Sequence, residues 1–202
     1  MQSSQRVVIA NVTTEKSMKT IVLSDIFGRT EALERFTAEI SEDALILDPY
    51  DSEFMNFKNE EAAYAYFSEN VGLGSYADKL KQVLLEQQGE VLLIGFSVGA
   101  SAIWNVSDDQ SITVVKKAIC YYGSQIRSNV VCNPRFSIEL IFPSMERHFS
   151  VNELIHQLSG KPNVSIRQVP YLHGFMNELS VNYDSQGYGE EIMYLGNAQR
   201  RD

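Results

Sequence analysis

Short apolar runs alternate along the chain with longer segments in which apolar residues recur at helical spacing. A run of about four to eight apolar residues bounded by turn residues is typical of a strand buried on both faces of a sheet. The runs that predict strands are 6–12, as an edge strand, and 19–24, 44–47, 91–94, 114–122, 137–142 and 164–169, as buried strands. The segments that predict helices are 30–40, 59–69, 75–87, 98–106, 151–158 and 188–201.

This alternation indicates a parallel, doubly wound α/β sheet with helices on both faces. The 202 residues can bury the core of one such domain, and no repeat, low-complexity segment or linker divides them. We therefore expect a single domain over residues 1–202. Ligands of such sheets bind beyond the carboxyl ends of the strands. Four polar residues follow predicted strands closely and are expected at that edge: Asp25, Ser97, Glu146 and His173.

The segment Gly95–Gly99 reads Gly-Phe-Ser-Val-Gly and lies between the apolar run 91–94 and a helix that opens with small residues. In this context the G-x-S-x-G pattern is the nucleophile elbow, a strained strand-to-helix turn that lifts a serine above the sheet. The two glycines lack a Cβ and allow the arms of the turn to approach closely. The bare pattern also arises by chance, but the flanking strand and helix favour Ser97 as a nucleophile.

A serine hydroxyl is a weak nucleophile at its free pKa and needs an adjacent base. The chain has only three histidines. His148 stands beside the start of a predicted helix and His156 lies within that helix, whereas His173 occupies a glycine-flanked turn after the last predicted strand. A loop position lets a base reach a neighbouring strand end, so we predict His173 as the base. The alternative is a histidine that merely caps a turn.

The base in turn needs an anionic partner that orients its ring. Glu146 is the carboxylate that follows a strand between Ser97 and His173, and the order nucleophile, acid, base is the one known for α/β-hydrolases. A solvated, structural Glu146 is the alternative, with Asp184 as the weaker substitute. A metal-dependent site built from Glu146, His148 and His173 is a third interpretation; the leading one needs no metal or organic cofactor.

A tetrahedral intermediate needs two backbone N–H donors. We predict one at Val98, directly after the nucleophile, and the other at Ile26, in the loop after the second predicted strand. Asp25, at the start of that loop, is either a structural helix-start residue or an active-site acid that influences Ser97 and lines the substrate pocket. Further candidates for pocket walls are Phe27, Phe96, Tyr122 and Phe175, for each of which core packing is the alternative.

Several segments together resemble the dienelactone hydrolase family of α/β-hydrolases. They are Ser24–Gly28, Gly95–Ala100, Tyr121–Gly123, Phe142–Glu146 and Tyr171–Phe175, and the resemblance spans about residues 19–177. It implies an α/β-hydrolase fold, with a minimal lid because the chain is short for that family. The best-known members carry a cysteine nucleophile and an aspartate acid, where this chain has Ser97 and Glu146. Members that take the anionic dienelactone hold it with arginines, and one of these positions is occupied here by Met176 or Asn177, which disfavours dienelactone as the substrate.

The composition adds constraints on location and partners. A net charge of −9 disfavours nucleic acid and anionic membrane surfaces as partners. Cys120 and Cys132 have no metal-ligand spacing and are expected to be free, buried thiols of a reducing compartment, with a disulfide between them as the alternative. Residues 1–6 lack the apolar core of a signal peptide, and no run of 18 apolar residues exists. We therefore expect a soluble, cytoplasmic protein.

The leading interpretation is a serine hydrolase that cleaves a small carboxylic ester, lactone or thioester through an acyl-enzyme. Its expected partner is a small-molecule, ester-type substrate, and a homodimer is left open. The alternative is a catalytically inactive protein of this fold that binds a small ligand or a protein. The unusual acid loop, Pro143–Glu146, and the missing arginine motivate that alternative.

Overall fold

A computed structural model of the chain describes residues 18–198, and in this part of the chain the centre is a six-stranded parallel sheet. Its strands are β1 (Lys19–Leu23), β2 (Leu45–Leu47), β3 (Val91–Phe96), β4 (Val115–Tyr121), β5 (Ser137–Phe142) and β6 (Val164–Gln168). They lie in the order β2-β1-β3-β4-β5-β6. The predicted strand over residues 6–12 lies outside the described residues.

Helices cover both faces of the sheet. They are α1 (Glu31–Ile40), α2 (Glu60–Asn70), α3 (Gly72–Leu85), α4 (Val98–Val106), α5 (Val151–Leu158) and α6 (Ser185–Ala198). One apolar cluster joins the sheet to α2, α3, α4 and α5, and a second joins its other face to α1 and α6. The predicted doubly wound α/β architecture is therefore confirmed. Thr30 caps α1, since its Oγ1 accepts the Leu33 N–H at 3.1 Å.

The strands differ in burial according to their place in the sheet. All six residues of β3 are buried, because it lies between two neighbours and under helices on both faces. The prediction that residues 44–47 form a buried strand is wrong in this respect. The β2 strand pairs only with β1 among the described residues, and its Leu45 is 42% exposed. An apolar run alone does not tell a central strand from one at the edge.

The strand order places the loops after β1 and β3 side by side. The chain leaves β1 toward β2 and then crosses to β3 on the other side of β1, so the order reverses between β1 and β3. Such a reversal point is where doubly wound sheets open a crevice for ligands. The Asp25 and Ser97 loops flank this crevice.

Two further expectations concern the thiols and the membrane. Cys120 and Cys132 are free and buried, which confirms the prediction and removes the disulfide alternative. Within residues 18–198, no helix has the length and apolar character needed to cross a bilayer.

Candidate active site

Ser97 stands on a strained turn between β3 and α4. Its φ of 51° and ψ of −108° lie in a region that non-glycine residues rarely adopt. The turn is held because the Ser97 N–H donates to the Tyr121 carbonyl at 3.0 Å. A Cβ at Gly95 would lie 2.6 Å from Ile103 Cδ1, and one at Gly99 would lie 2.5 Å from the Ser24 carbonyl oxygen. The two glycines are therefore required by close packing, as the elbow pattern predicted.

A chain of hydrogen bonds joins the three predicted catalytic side chains. Ser97 Oγ lies 3.0 Å from His173 Nε2, and His173 Nδ1 lies 2.7 Å from Glu146 Oε1. An ionised carboxylate can only accept, so the Nδ1 proton is assigned to the bond with Glu146 and Nε2 is left to accept the serine proton. Ser97 and His173 are 76 positions apart in the sequence, and His173 and Glu146 are 27 apart. The structure brings the three together in the arrangement of a nucleophile, a base and an acid.

The acid loop is tied to the histidine loop by hydrogen bonds. Ser144 donates to the Tyr171 carbonyl through both its N–H, at 2.8 Å, and its Oγ, at 3.1 Å. Gln168 Nε2 donates to the Pro143 carbonyl at 3.2 Å. These bonds hold the unusual acid loop Pro143–Glu146 beside the histidine loop, where Glu146 reaches the His173 ring.

The alternative roles considered for these residues find less support. Asp184 Oδ1 accepts the Gly187 N–H at 2.9 Å at the start of α6, which is a capping contact. Both ring nitrogens of His173 bond to protein groups, one to Ser97 and the other to Glu146. No group of three or more His, Cys, Asp or Glu side chains between residues 18 and 198 is arranged to hold a metal.

The two predicted oxyanion donors flank the serine. Val98 is the first residue of α4, where backbone N–H groups have no acceptor within the helix. Ile26 lies in the turn after β1, and in the described part of the chain its N–H donates to no protein acceptor. Both residues line the same cleft as Ser97. Their role as oxyanion donors stays a prediction.

Asp25 organises the turn rather than contacting the serine. Its Oδ1 accepts the Phe27 N–H at 2.9 Å, and its Oδ2 accepts Asn177 Nδ2 at 2.6 Å. Desolvation by burial raises the pKa of the Asp25 carboxyl, and these two hydrogen bonds oppose the rise. Sequence reasoning noticed Asn177 only as the place of a missing arginine; here its neutral amide is the partner of Asp25.

A cleft of about 850 Å³ opens above the triad. The predicted residues that line it are Asp25, Ile26, Phe27, Ser97, Val98, Glu146 and His173. Four charged side chains also line it: Glu60, Glu61, Arg127 and Arg147. Val181, which also lines the cleft, is 84% exposed.

Three residues predicted as pocket walls do not line this cleft. Phe96 and Tyr122 border a separate cavity of only about 20 Å³, and Phe175 is fully buried with its ring stacked on Tyr171 at 4.9 Å. Their rings form part of the core between the sheet, α1 and α6. Tyr122 supports the site from beneath, since its ring centre lies 4.9 Å from that of His173. Core packing, the alternative weighed for each, is what the structure shows.

The sheet order and the strained elbow define an α/β-hydrolase fold, and comparison with solved structures confirms it. A Klebsiella pneumoniae protein assigned as a dienelactone hydrolase superposes with a TM-score of 0.71 at 12% identity, covering 94% of this chain and 90% of its own. The dienelactone hydrolase-like promiscuous phosphotriesterase P91, from metagenomic libraries, superposes with a TM-score of 0.64 at 11% identity, covering 91% and 85%. The resemblance to dienelactone hydrolases is thereby confirmed at the level of the fold.

Sequence comparison then shows the family. The chain is 34% identical over 150 residues to the uncharacterized protein YczH of Bacillus subtilis (strain 168), a match that covers 73% of each protein. The chain belongs to the same family as YczH. No protein-family model matches it.

Proposed function

We propose that this protein is a serine hydrolase that cleaves a small carboxylic ester, lactone or thioester through an acyl-enzyme. The observation that carries the proposal is the continuous hydrogen-bond chain from Glu146 through His173 to Ser97. That chain ends on a strained elbow at the floor of an open cleft. Similarity to hydrolases of this fold supports the reaction class.

In the proposed reaction Ser97 Oγ attacks the carbonyl carbon while His173 Nε2 takes the hydroxyl proton. The negative charge that develops on the carbonyl oxygen is stabilised by the N–H groups of Val98 and Ile26. Glu146 stabilises the imidazolium, which then gives its proton to the leaving group. Water, activated by the same imidazole, attacks the acyl-enzyme and releases the acid and Ser97. Each step uses only this chain's own groups and water.

The cleft constrains the substrate. Its volume of about 850 Å³ falls in the range of small-molecule sites, roughly 300–1,000 Å³. Asn177 bonds to Asp25 through a neutral amide and does not line the cleft, so the position where dienelactone-binding members carry an arginine offers no charge to a substrate carboxylate. We therefore propose a small ester other than dienelactone. The free thiols fit a reducing compartment, and we place the protein in the cytoplasm on that ground.

The test is hydrolysis of a short-chain nitrophenyl ester by the wild type and by Ser97→Ala. Removal of a triad nucleophile lowers kcat by about 10⁴-fold or more, so the variant should be nearly inactive. Ser159→Ala is the matched control, because it removes an exposed hydroxyl at the end of α5 and should keep wild-type kcat. A fluorophosphonate probe should label the wild type and the control but not Ser97→Ala.

Wild-type protein that neither turns over esters nor reacts with the probe would contradict this function. It would favour the other interpretation, a protein of this fold that binds a small ligand or a protein partner without turnover.

A further inference from the structure

The turn over residues 25–28, which carries the proposed donor Ile26, is held by hydrogen bonds within itself. The Asp25 carbonyl accepts the Gly28 N–H at 3.1 Å, and the Asp25 carboxylate accepts the Phe27 N–H at 2.9 Å. Because a peptide group is planar, holding its carbonyl also sets the direction of its N–H. The Asp25 carbonyl and the Ile26 N–H belong to one peptide group, so the first bond orients the donor.

The next peptide group is held from outside the turn by Tyr50, which follows β2. The Tyr50 hydroxyl donates to the Ile26 carbonyl at 2.7 Å across 24 positions of sequence. Its ring covers the turn closely, since a Cβ at Gly28 would lie 2.8 Å from Tyr50 Cε2. Gly28 also has a φ of 72°, which favours glycine. Ring and turn therefore fit each other only with glycine at position 28.

Tyr50 is itself fixed in place. Its N–H donates to the buried Asp48 carboxylate at 2.8 Å, and its ring packs against Phe57 and Tyr66 with centroid distances of 5.6 and 5.7 Å. Tyr50 is 7% exposed, and desolvation raises the pKa of its hydroxyl above the ordinary value. The hydroxyl therefore remains protonated, and able to donate, throughout the neutral pH range.

We infer that Tyr50 is a positioning residue for the oxyanion hole. Tyr50 does not line the catalytic cleft, and its hydroxyl binds the Ile26 carbonyl. The carbonyl is therefore held toward a group outside the cleft and away from the reacting group. Without the Tyr50 bond this peptide group would be held only through the Phe27 N–H, and a carbonyl that turned toward the cleft would oppose the developing oxyanion where a donor is needed. This inference rests on the proposed function, and it assigns a role to a side chain that does not touch the substrate.

The experiment compares wild type, Tyr50→Phe and the control Tyr194→Phe. Both variants lose a hydroxyl that donates a hydrogen bond, but that of Tyr194 bonds to Glu139 and lies away from the cleft. Removal of a whole oxyanion donor lowers kcat by about 10²- to 10³-fold. Tyr50→Phe keeps the Ile26 N–H but positions it less firmly, so we expect kcat to fall by only about 10-fold. The readouts are kcat, KM, and the Ki of an alkyl boronic acid, whose tetrahedral adduct with Ser97 occupies the oxyanion hole.

The expected result for Tyr50→Phe is a fall in kcat and a matching rise in the boronic acid Ki, with KM within about twofold. Tyr194→Phe should change none of the three by more than about twofold. If both hydroxyls had a purely structural role, both variants would lose thermal stability, and kcat and Ki would not differ between them. Unchanged kcat and Ki in Tyr50→Phe, with active wild type, would overturn the role of Tyr50 alone. Wild type that lacks Ser97-dependent activity would overturn the proposed function as well.

Discussion

Two hydrogen-bonded glutamates near the sheet's last strands, Glu146 in the loop after β5 and Glu191 on α6, behave very differently. Glu146 bonds to His173, and that chain ends at the Ser97 hydroxyl in an open cleft. Glu191 is 3% exposed, and Arg167 holds it through two bonds of 2.6 and 2.7 Å. A glutamate paired with a basic side chain is therefore not in itself a sign of catalysis.

The two hydrogen-bond networks differ in whether they end within the protein or at a group in the open cleft. Around Glu191 every polar group finds a partner within the protein: the Tyr121 hydroxyl donates to it at 2.9 Å, and Arg167 also reaches Glu139. The guanidinium cannot give up its proton, and the bonds with Glu191 raise the pKa of Arg167 further. An imidazole, unlike a guanidinium, can both accept and donate a proton, and Nε2 of His173 meets the Ser97 hydroxyl in the open cleft. We interpret one network as structural and the other as catalytic.

The largest effect that would test this comparison is expected from Glu146→Gln. The amide keeps the shape of the side chain but loses the charge that stabilises the imidazolium, so kcat should fall about 10³- to 10⁴-fold. Stability should change little. Steady-state ester hydrolysis measures it, with Glu153→Gln in the exposed first turn of α5 as the control. A fall of less than about 10-fold would contradict the role of Glu146 and return attention to Asp184.

Arg167→Met should lower the stability of the protein and leave kcat nearly unchanged, which is the reverse of Glu146→Gln. It leaves Glu191 buried without its cation, and removing one partner of a buried pair costs about 3–5 kcal/mol. Because the Arg167 side chain is 34% exposed, we expect the smaller loss of about 2 kcal/mol in the free energy of unfolding. Urea denaturation measures it, kcat should stay within about twofold, and the exposed Arg135→Met is the control. A large fall in kcat at unchanged stability would mean that the two networks are not separate.

Asp25 differs from both glutamates, because it is a desolvated carboxylate whose side-chain partner is the neutral amide of Asn177. Burial raises its pKa in the folded protein above 3.8, so the folded state binds the proton more tightly than the unfolded state does. Its contribution to stability is full below the unfolded pKa and is lost as pH rises through the folded pKa. Asp25→Asn should remove this part of the pH dependence, the smallest of the three effects. Thermal melts of both proteins from pH 3 upward would reveal it; identical pH profiles would contradict it.

The structure brings together the side chains that local patterns singled out, Ser97, His173 and Glu146. The elbow depends on five consecutive residues and the strand before them, and Ser97 adopts the strained conformation which that pattern requires. The histidine and the acid were found because parallel strands bring their carboxyl ends to one edge, so that Glu146 and His173 follow neighbouring strands. Their catalytic roles stay predictions until the variants are measured.

The sequence by itself determined the alternation of strands and helices, the elbow and the set of polar residues at strand ends, because each depends on the spacing of residue types over a few positions. Only the tertiary structure decided which aromatic rings line the cleft, and it placed Phe96, Tyr122 and Phe175 in the core. It alone paired Tyr50 with Ile26 across 24 positions and Asp25 with Asn177 across 152. Such contacts have no local signature, because they arise from the packing of separate loops at the sheet edge and not from the preferences of either segment.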